Sequence, residues 1–183
     1  MKRAVILIAT ILVLTLLMVS CQQTQNPVQS APEGEISLSK VADDPAPPVC
    51  GGCTPGYWKN HLDTWEITGY NPGQPVSSVW SYAAKYPDIG NATLHQALYF
   101  KGGKGTEGAA RIMMRSAVAA LLNWHYANKT RGFIYNNPSI YTIINYTNQR
   151  FKWDQGTKQD REMYLDFAKR LDIRNNAYPC PLN

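Results

Sequence analysis

Two cysteines and a histidine lie close together in a short stretch that is rich in aromatic residues. Residues 50–65 read C-G-G-C-T-P-G-Y-W-K-N-H-L-D-T-W. The two cysteines, Cys50 and Cys53, have the C-x-x-C spacing of thiol-redox sites, in which the pKa of one thiol is lowered. Such sites belong in a βαβ context, whereas Thr54-Pro55-Gly56 indicates a turn. A redox pair of Cys50 with Cys53 is therefore an alternative interpretation and not the first one.

A zinc site would require two ligands in addition to Cys50 and Cys53. The three histidines, His61, His95 and His125, form no H-x₃₋₅-H pair, and the chain lacks a second C-x-x-C pair. The sequence therefore predicts neither a metal site nor a cofactor.

His61, Asp63 and Glu66 suggest a hydrolytic site, with His125 as a further member. On a helix the offsets i, i+2 and i+5 would not place the three side chains on one face. We therefore predict no catalytic residue. An extracytoplasmic enzyme with a site near His61, Asp63 and Glu66 is kept as an alternative hypothesis.

The N-terminus has the pattern of an export signal. Met1-Lys2-Arg3 precedes sixteen apolar or Thr residues, 4–19. This run is shorter than the roughly 18–20 residues of a membrane-spanning helix, and it suits a signal-peptide core. Residues 17–21, L-M-V-S-C, resemble a bacterial lipobox. We therefore predict a lipoprotein signal peptide over residues 1–20, with lipid on Cys21 that anchors the protein outside the cytoplasm, to the cell membrane or the outer membrane.

The segment that follows Cys21 has a different composition. It is rich in Gln, Ser, Pro and acidic residues, contains no aromatic residue and carries a net charge of −3. Such a segment buries too little apolar surface to offset chain entropy. We predict a disordered tether over residues 21–49.

The remaining residues, 50–183, have the composition of one folded domain. They contain all twenty aromatic residues of the chain, together with fifteen basic and nine acidic residues, a net charge of +6. A chain of this length can enclose one hydrophobic core. The basic residues are scattered and form no stripe, which argues against a nucleic-acid partner.

Apolar periodicity indicates that this domain is mainly α-helical. The clearest pattern, residues 106–128, has apolar residues at helical spacing. A second helix is predicted over 158–171 from the capping-box residues Thr157 and Asp160. A third is predicted over 138–151, with Asn137 as its N-cap. Shorter ones are predicted over 77–86 and over 92–100, the latter capped by Asn91. We expect a compact irregular bundle of four to six helices with long loops and no extended sheet.

The cysteine count also indicates a disulfide. If Cys21 carries lipid, then Cys50, Cys53 and Cys180 remain, and disulfides persist outside the cytoplasm. We favour Cys53 with Cys180, because domain termini often lie close together. Pairing of Cys50 with Cys53, or of Cys50 with Cys180, is left open.

Residues 53–61, C-T-P-G-Y-W-K-N-H, resemble a motif of extracellular bacterial proteins that carry a domain without an assigned activity. Residues 115–123, R-S-A-V-A-A-L-L-N, resemble a later helix of the same domain. The resemblance implies a secreted, often surface-displayed module and transfers no catalytic residue. We expect the motif to serve as a ligand contact or as a structural element, through its residues Tyr57, Trp58, Lys59, Asn60 and His61.

The expected function is that of a surface lipoprotein with a non-enzymatic helical domain that binds a partner or contributes to envelope structure. The membrane is the first expected partner, through lipid on Cys21, and an extracellular protein or glycan is the second. The tryptophans could stack on sugars, but the sequence does not show which of them is exposed.

Overall fold

The computed structural model describes residues 49–135, 137–177 and 180–182. The predicted signal peptide, the predicted lipidation site Cys21 and residues 21–48 of the predicted tether 21–49 lie outside the described residues. Within the described residues, no helix has the length and apolar character that crossing a membrane requires.

The described residues form a mainly helical fold, as the sequence predicts. Two long helices, α5 and α7, are joined by shorter helices and turns. The elements in chain order are β1 (Val49–Cys50), α1 (Pro55–Asn60), α2 (Trp65–Thr68), α3 (Pro87–Gly90), α4 (Leu94–Ala97), α5 (Gly105–Thr130), β2 (Phe133–Ile134), α6 (Thr147–Trp153) and α7 (Lys158–Asn175). Single turns of 3₁₀-helix occupy Leu62–Thr64, Val76–Ser78 and Ser81–Lys85, and a π-helical turn occupies Thr142–Tyr146.

The two strands form a minimal parallel pair at the point where the chain enters the domain. Val49 is the register partner of Phe133, and Cys50 is the partner of Ile134. Just beyond this pair the backbone runs close to the end of α7. A Cβ atom on Gly52 would lie 2.6 Å from the carbonyl oxygen of Arg174, so this approach requires glycine.

The helix α5 is the centre of the core. Every residue from Ser116 to Asn123 is buried, so the middle of this helix is covered on all sides. The alanines in this stretch let neighbouring elements approach closely, and α7 packs along it. The helix matches the predicted range 106–128, with one additional residue at the start and two at the end.

The helix α7 begins at Lys158, as the sequence predicts, and ends at Asn175 and not at residue 171. The Thr157 side chain accepts a hydrogen bond from the Asp160 amide, and the Asp160 side chain accepts one from the Thr157 amide. The carboxylate of Asp160 has its pKa lowered chiefly by the bond from the Thr157 side chain. The buried face consists of Tyr164, Phe167, Ala168 and Leu171.

The third predicted helix begins later than the sequence suggested. Asn137 was expected to cap a helix starting at Pro138, but the Asn137–Pro138 peptide bond is cis and the helical backbone starts at Ile140. The π-helical turn then shifts the register of the side chains. As a result Ile143, and not Ile140 or Ile144, is fully buried.

The two shorter predicted helices are also reduced to single turns. Trp80 has an extended backbone (φ −120°, ψ 84°) that separates the turns Val76–Ser78 and Ser81–Lys85. Its indole is fully buried and donates to the carbonyl of Ile143 (3.3 Å). The helix α4 is capped by Thr93, with a capping box to Gln96, whereas Asn91 ends the preceding helix α3 as its C-cap.

Candidate binding surface

The residues of the C-T-P-G-Y-W-K-N-H motif are held in place by a disulfide and a helix cap. Cys53 is fully buried and is bonded to Cys180, with the two Cα atoms 4.5 Å apart. This confirms the favoured pairing. Thr54 then caps α1 by accepting a hydrogen bond from the Tyr57 amide (3.0 Å), and Pro55 occupies the first helical position.

The alternative pairing of Cys50 with Cys53 is not found, since Cys53 is bonded to Cys180. Cys50 itself is partly buried, and no described cysteine is a free thiol. The arrangement therefore gives no support to a Cys50–Cys53 redox pair.

A buried asparagine of α5 connects the motif to the core. The Asn123 side-chain oxygen accepts hydrogen bonds from the Cys53 amide (2.8 Å) and from the indole of Trp58 (3.1 Å). Its amide nitrogen donates to the Cys53 carbonyl (2.9 Å) and to the Asn175 side chain (3.1 Å). All four hydrogen bonds cross between elements that are far apart in sequence.

Asn175, the last residue of α7, completes this polar network. Its side-chain oxygen also accepts from the Tyr135 hydroxyl (2.7 Å), and its nitrogen donates to the Ser116 carbonyl (3.0 Å). Burial raises the pKa of Tyr135 well above its ordinary value. Because the two buried asparagine side chains find both donors and acceptors, this network stabilises the core without an unpaired polar atom.

The aromatic residues of the motif are used in packing. Trp58 is fully buried, and its carbonyl accepts from the indole of Trp65 (2.9 Å). Tyr57 is buried, and its ring stacks on His61 with ring centroids 4.0 Å apart. Burial raises the pKa of Tyr57.

The polar residues of the motif mainly bond to backbone. Asn60 donates to the Gly56 carbonyl (3.0 Å), and the Lys59 carbonyl lies 3.1 Å from the Nε2 atom of His95. The Lys59 ammonium lies 4.9 Å from the ring centroid of Tyr99. These contacts all lie within the domain.

Among the described residues, no hydrogen bond or ion pair joins the side chains of His61, Asp63 and Glu66. The Nδ1 atom of His61 lies 2.9 Å from the Tyr57 carbonyl oxygen, so this imidazole nitrogen contacts the backbone. Asp63 and Glu66 are exposed to solvent. Within residues 49–135, 137–177 and 180–182, no three His, Cys, Asp or Glu side chains form a group suited to a metal ion.

His125, the further member considered for that site, lies elsewhere and contacts Tyr70. Its Nε2 atom is 3.3 Å from the Tyr70 hydroxyl, and the two rings meet edge to face. Burial, and then the nearby Lys129 ammonium, lower the pKa of His125.

A buried carboxylate that the sequence did not single out joins three segments of the chain. The Oδ2 atom of Asp154 accepts hydrogen bonds from the hydroxyls of Tyr86 and Tyr164, and Oδ1 accepts from the Gly156 amide (2.7 Å). The Lys85 ammonium donates to the Asp154 carbonyl and lies 3.8 Å from Oδ2. Burial, together with the bond to this carboxylate, raises the pKa of Tyr86 to about 12. With Asp154 only 2% exposed, the cluster is a structural junction.

Beside this junction, two aromatic side chains stand out from the surface. Trp153 is 65% exposed and Tyr82 is 45% exposed, whereas Trp58, Trp65 and Trp80 are buried. The Lys152 ammonium lies 5.1 Å from the ring centroid of Trp153 and 5.4 Å from that of Tyr82. We call Tyr82, Lys152 and Trp153 the aromatic platform.

A second surface feature is a cleft of about 390 Å³ beside the C-terminal half of α7. Phe167 and Leu171 contribute apolar surface to it, and Arg170 and Arg174 contribute charge. Arg170 already forms a hydrogen-bonded ion pair with Asp166. Because Asp166 already engages the Arg170 guanidinium, this charge is less available to a ligand in the cleft.

Comparisons of the chain with models of protein families, with curated proteins and with solved structures gave no match.

Proposed function

We propose that this protein is a lipid-anchored extracytoplasmic protein whose helical domain binds a partner at the cell envelope and is not an enzyme. The observation that carries the binding role is the aromatic platform. Exposing large aromatic rings to water is unfavourable, and aromatic side chains are enriched at binding surfaces.

The proposed location is supported by the disulfide as well as by the lipobox-like sequence. The Cys53–Cys180 bond joins the start of the described domain to its end. Such bonds persist in oxidising compartments and are rare in the cytosol. A domain that is cross-linked by this disulfide is consistent with export from the cytoplasm.

The non-enzymatic character is supported by the bonding of the residues that first suggested chemistry. His61 contacts the backbone of Tyr57, and Cys53 is committed to a long-range disulfide. An enzyme near His61, Asp63 and Glu66, and a thiol-redox protein using Cys50 and Cys53, are therefore the less favoured alternatives.

The anchor is tested by metabolic labelling with radioactive palmitate in a bacterial host that processes lipoproteins. Wild-type protein should incorporate label and sediment with membranes. Cys21→Ala should incorporate none, whereas the nearby control Gln23→Ala should retain both properties. Absence of label from the wild type, or full labelling of Cys21→Ala, would disprove the lipid anchor.

A further inference from the structure

The two rings of the aromatic platform are positioned to contact one extended ligand. Tyr82 belongs to the turn Ser81–Lys85, and Trp153 is the last residue of α6. Both ring centroids lie within 5.4 Å of the same Lys152 ammonium. The two rings therefore lie near one another, within reach of one extended ligand, and each ring has an apolar face on which a sugar can stack.

Hydrogen bonds on both sides fix the backbone that carries Tyr82. The Tyr82 amide donates to the Asn148 side chain (3.2 Å), which ties the turn to α6. On the other side, the buried indole of Trp80 donates to the Ile143 carbonyl (3.3 Å). Because these bonds fix the backbone of Tyr82, less conformational entropy is lost at this residue when a ligand binds.

The charge of the platform points to an acidic ligand. Lys152 is exposed, and among the described residues no carboxylate forms an ion pair with it. The carboxylate of Asp154, two positions along the chain, is buried and already accepts three hydrogen bonds. The platform therefore offers an uncompensated ammonium between two aromatic rings, and this matches a sugar that bears a carboxylate.

The platform also lies at the far end of the domain from the point where the chain enters it. Trp153 is close in sequence to the start of α7, whereas Gly52 contacts Arg174 at the end of α7. The 18 residues of α7 span about 27 Å at about 1.5 Å per residue. A domain anchored through its N-terminal segment would thus be able to present the platform away from its own membrane.

We propose that the aromatic platform binds an acidic polysaccharide, with one sugar ring on Trp153, a neighbouring ring on Tyr82 and a sugar carboxylate paired with Lys152. This inference deepens the proposed function, on which it rests for the extracytoplasmic location. It names uronic-acid polymers as the chemical class of the ligand.

The test uses the full mature protein in detergent and three acidic polysaccharides: polygalacturonate, alginate and hyaluronan. Carboxyl-reduced polygalacturonate serves as the neutral comparison. Binding is followed by calorimetry and by tryptophan fluorescence at two salt concentrations. We expect binding of at least one acidic polymer, weaker binding of the reduced form, and a loss of affinity at high salt.

Three variants assign the contacts, and two matched controls accompany them. Trp153→Ala should weaken binding by about tenfold or more, as for aromatic anchors that become covered when a ligand binds, and Tyr82→Ala should also weaken it. Lys152→Gln should abolish the preference for the acidic polymer over its reduced form. Tyr141→Ala, at a tyrosine that is 71% exposed, and Lys158→Gln, at an exposed lysine, should bind like the wild type.

Several results would overturn the proposal. These are no binding to any of the three acidic polymers, equal binding of the reduced polymer by the wild type, and unchanged affinity in Trp153→Ala. Trp153-dependent binding to vesicles of anionic phospholipid, without polysaccharide binding, would assign the platform to a membrane surface instead. A protein that carries palmitate but binds no acidic polymer would refute this inference alone, and a polymer-binding protein without palmitate would refute the lipid anchor alone.

Discussion

The side chain of Asn123 gives the sharpest test of how the motif is held in the fold. It is fully buried in α5 and makes four hydrogen bonds, three of them to Cys53 and Trp58. Replacing Asn123 with Ala removes all four bonds and leaves the partner groups in place. The variant should therefore be much less stable than the wild type.

The size of the loss follows from the groups that would be left without a partner. The fourth partner, the Asn175 oxygen, would keep its bond from the Tyr135 hydroxyl. The amide and carbonyl of Cys53 and the indole of Trp58 would lose the bonds described here. At about 1–1.5 kcal/mol for each buried group, toward the low end of the range for unsatisfied donors and acceptors, the free energy of unfolding should fall by about 3–5 kcal/mol.

Equilibrium unfolding in urea, with the disulfide intact, measures this loss as a shift of the midpoint at constant slope. Asn128→Ala is the matched control, because Asn128 lies on the same helix and is exposed. Among the described residues, its side chain bonds only to the Trp124 carbonyl within its own helix (2.8 Å). It should change the free energy of unfolding by no more than about 0.5 kcal/mol.

A loss below about 1 kcal/mol in Asn123→Ala would refute the reasoning, because it falls under the cost of even one buried orphan group. Equal losses in Asn123→Ala and Asn128→Ala would refute it as well. Either result would mean that the disulfide and apolar packing hold the motif without this network.

Three further predictions concern single contacts. Cys180→Ser opens a loop with a sequence separation of 127 residues and should lower the free energy of unfolding by about 5 kcal/mol in the chain-entropy model. An unchanged urea midpoint would contradict this. Tyr86, with a folded pKa of about 12 against an ordinary 10, should stabilise the fold fully below pH 10 and progressively less as the pH rises toward 12. The decline measured between these pH values should be smaller in Tyr86→Phe, and an identical decline would exclude this residue as a cause. Thr157→Ala removes the cap of α7 and should cost about 1 kcal/mol in urea unfolding, whereas a gain in stability would show that the bond to Asp160 is not stabilising.

The helical core could be predicted because its signals are local. The helix α5 shows apolar periodicity over six turns, and α7 begins with a capping pair that lies within four residues, Thr157 to Asp160. The Cys53–Cys180 bond could be predicted from the number of cysteines and the position of the chain ends. The start of the helix predicted at Pro138 was misplaced, because residue preferences at a cap are local and do not show where packing lets the helical backbone begin, which is Ile140.

The polar network and the platform could not be predicted, because they depend on contacts between distant segments. Asn123 bonds to Cys53 at a separation of 70 residues and to Asn175 at a separation of 52. One signal of the network was available in the sequence. Asn123 directly follows the apolar run A-V-A-A-L-L, and an amide side chain buried in such a helix requires hydrogen-bond partners. Trp153 likewise has charged neighbours on both sides, Lys152 and Asp154, but Asp154 proved to be buried, so this pattern alone does not identify an exposed ring.

The structure separates the part of the domain that defines its fold from the part that we propose defines its ligand. Cys53 and Trp58 in the first motif meet Asn123 in the second through the hydrogen bonds described above. None of these residues belongs to the aromatic platform, which is formed by Tyr82 and by the end of α6. Loss of the platform rings should therefore leave the network and the disulfide intact. We therefore expect another chain that carries both motifs to have the same core. Whether it also binds the same ligand depends on the residues that it has at the positions equivalent to 82, 152 and 153.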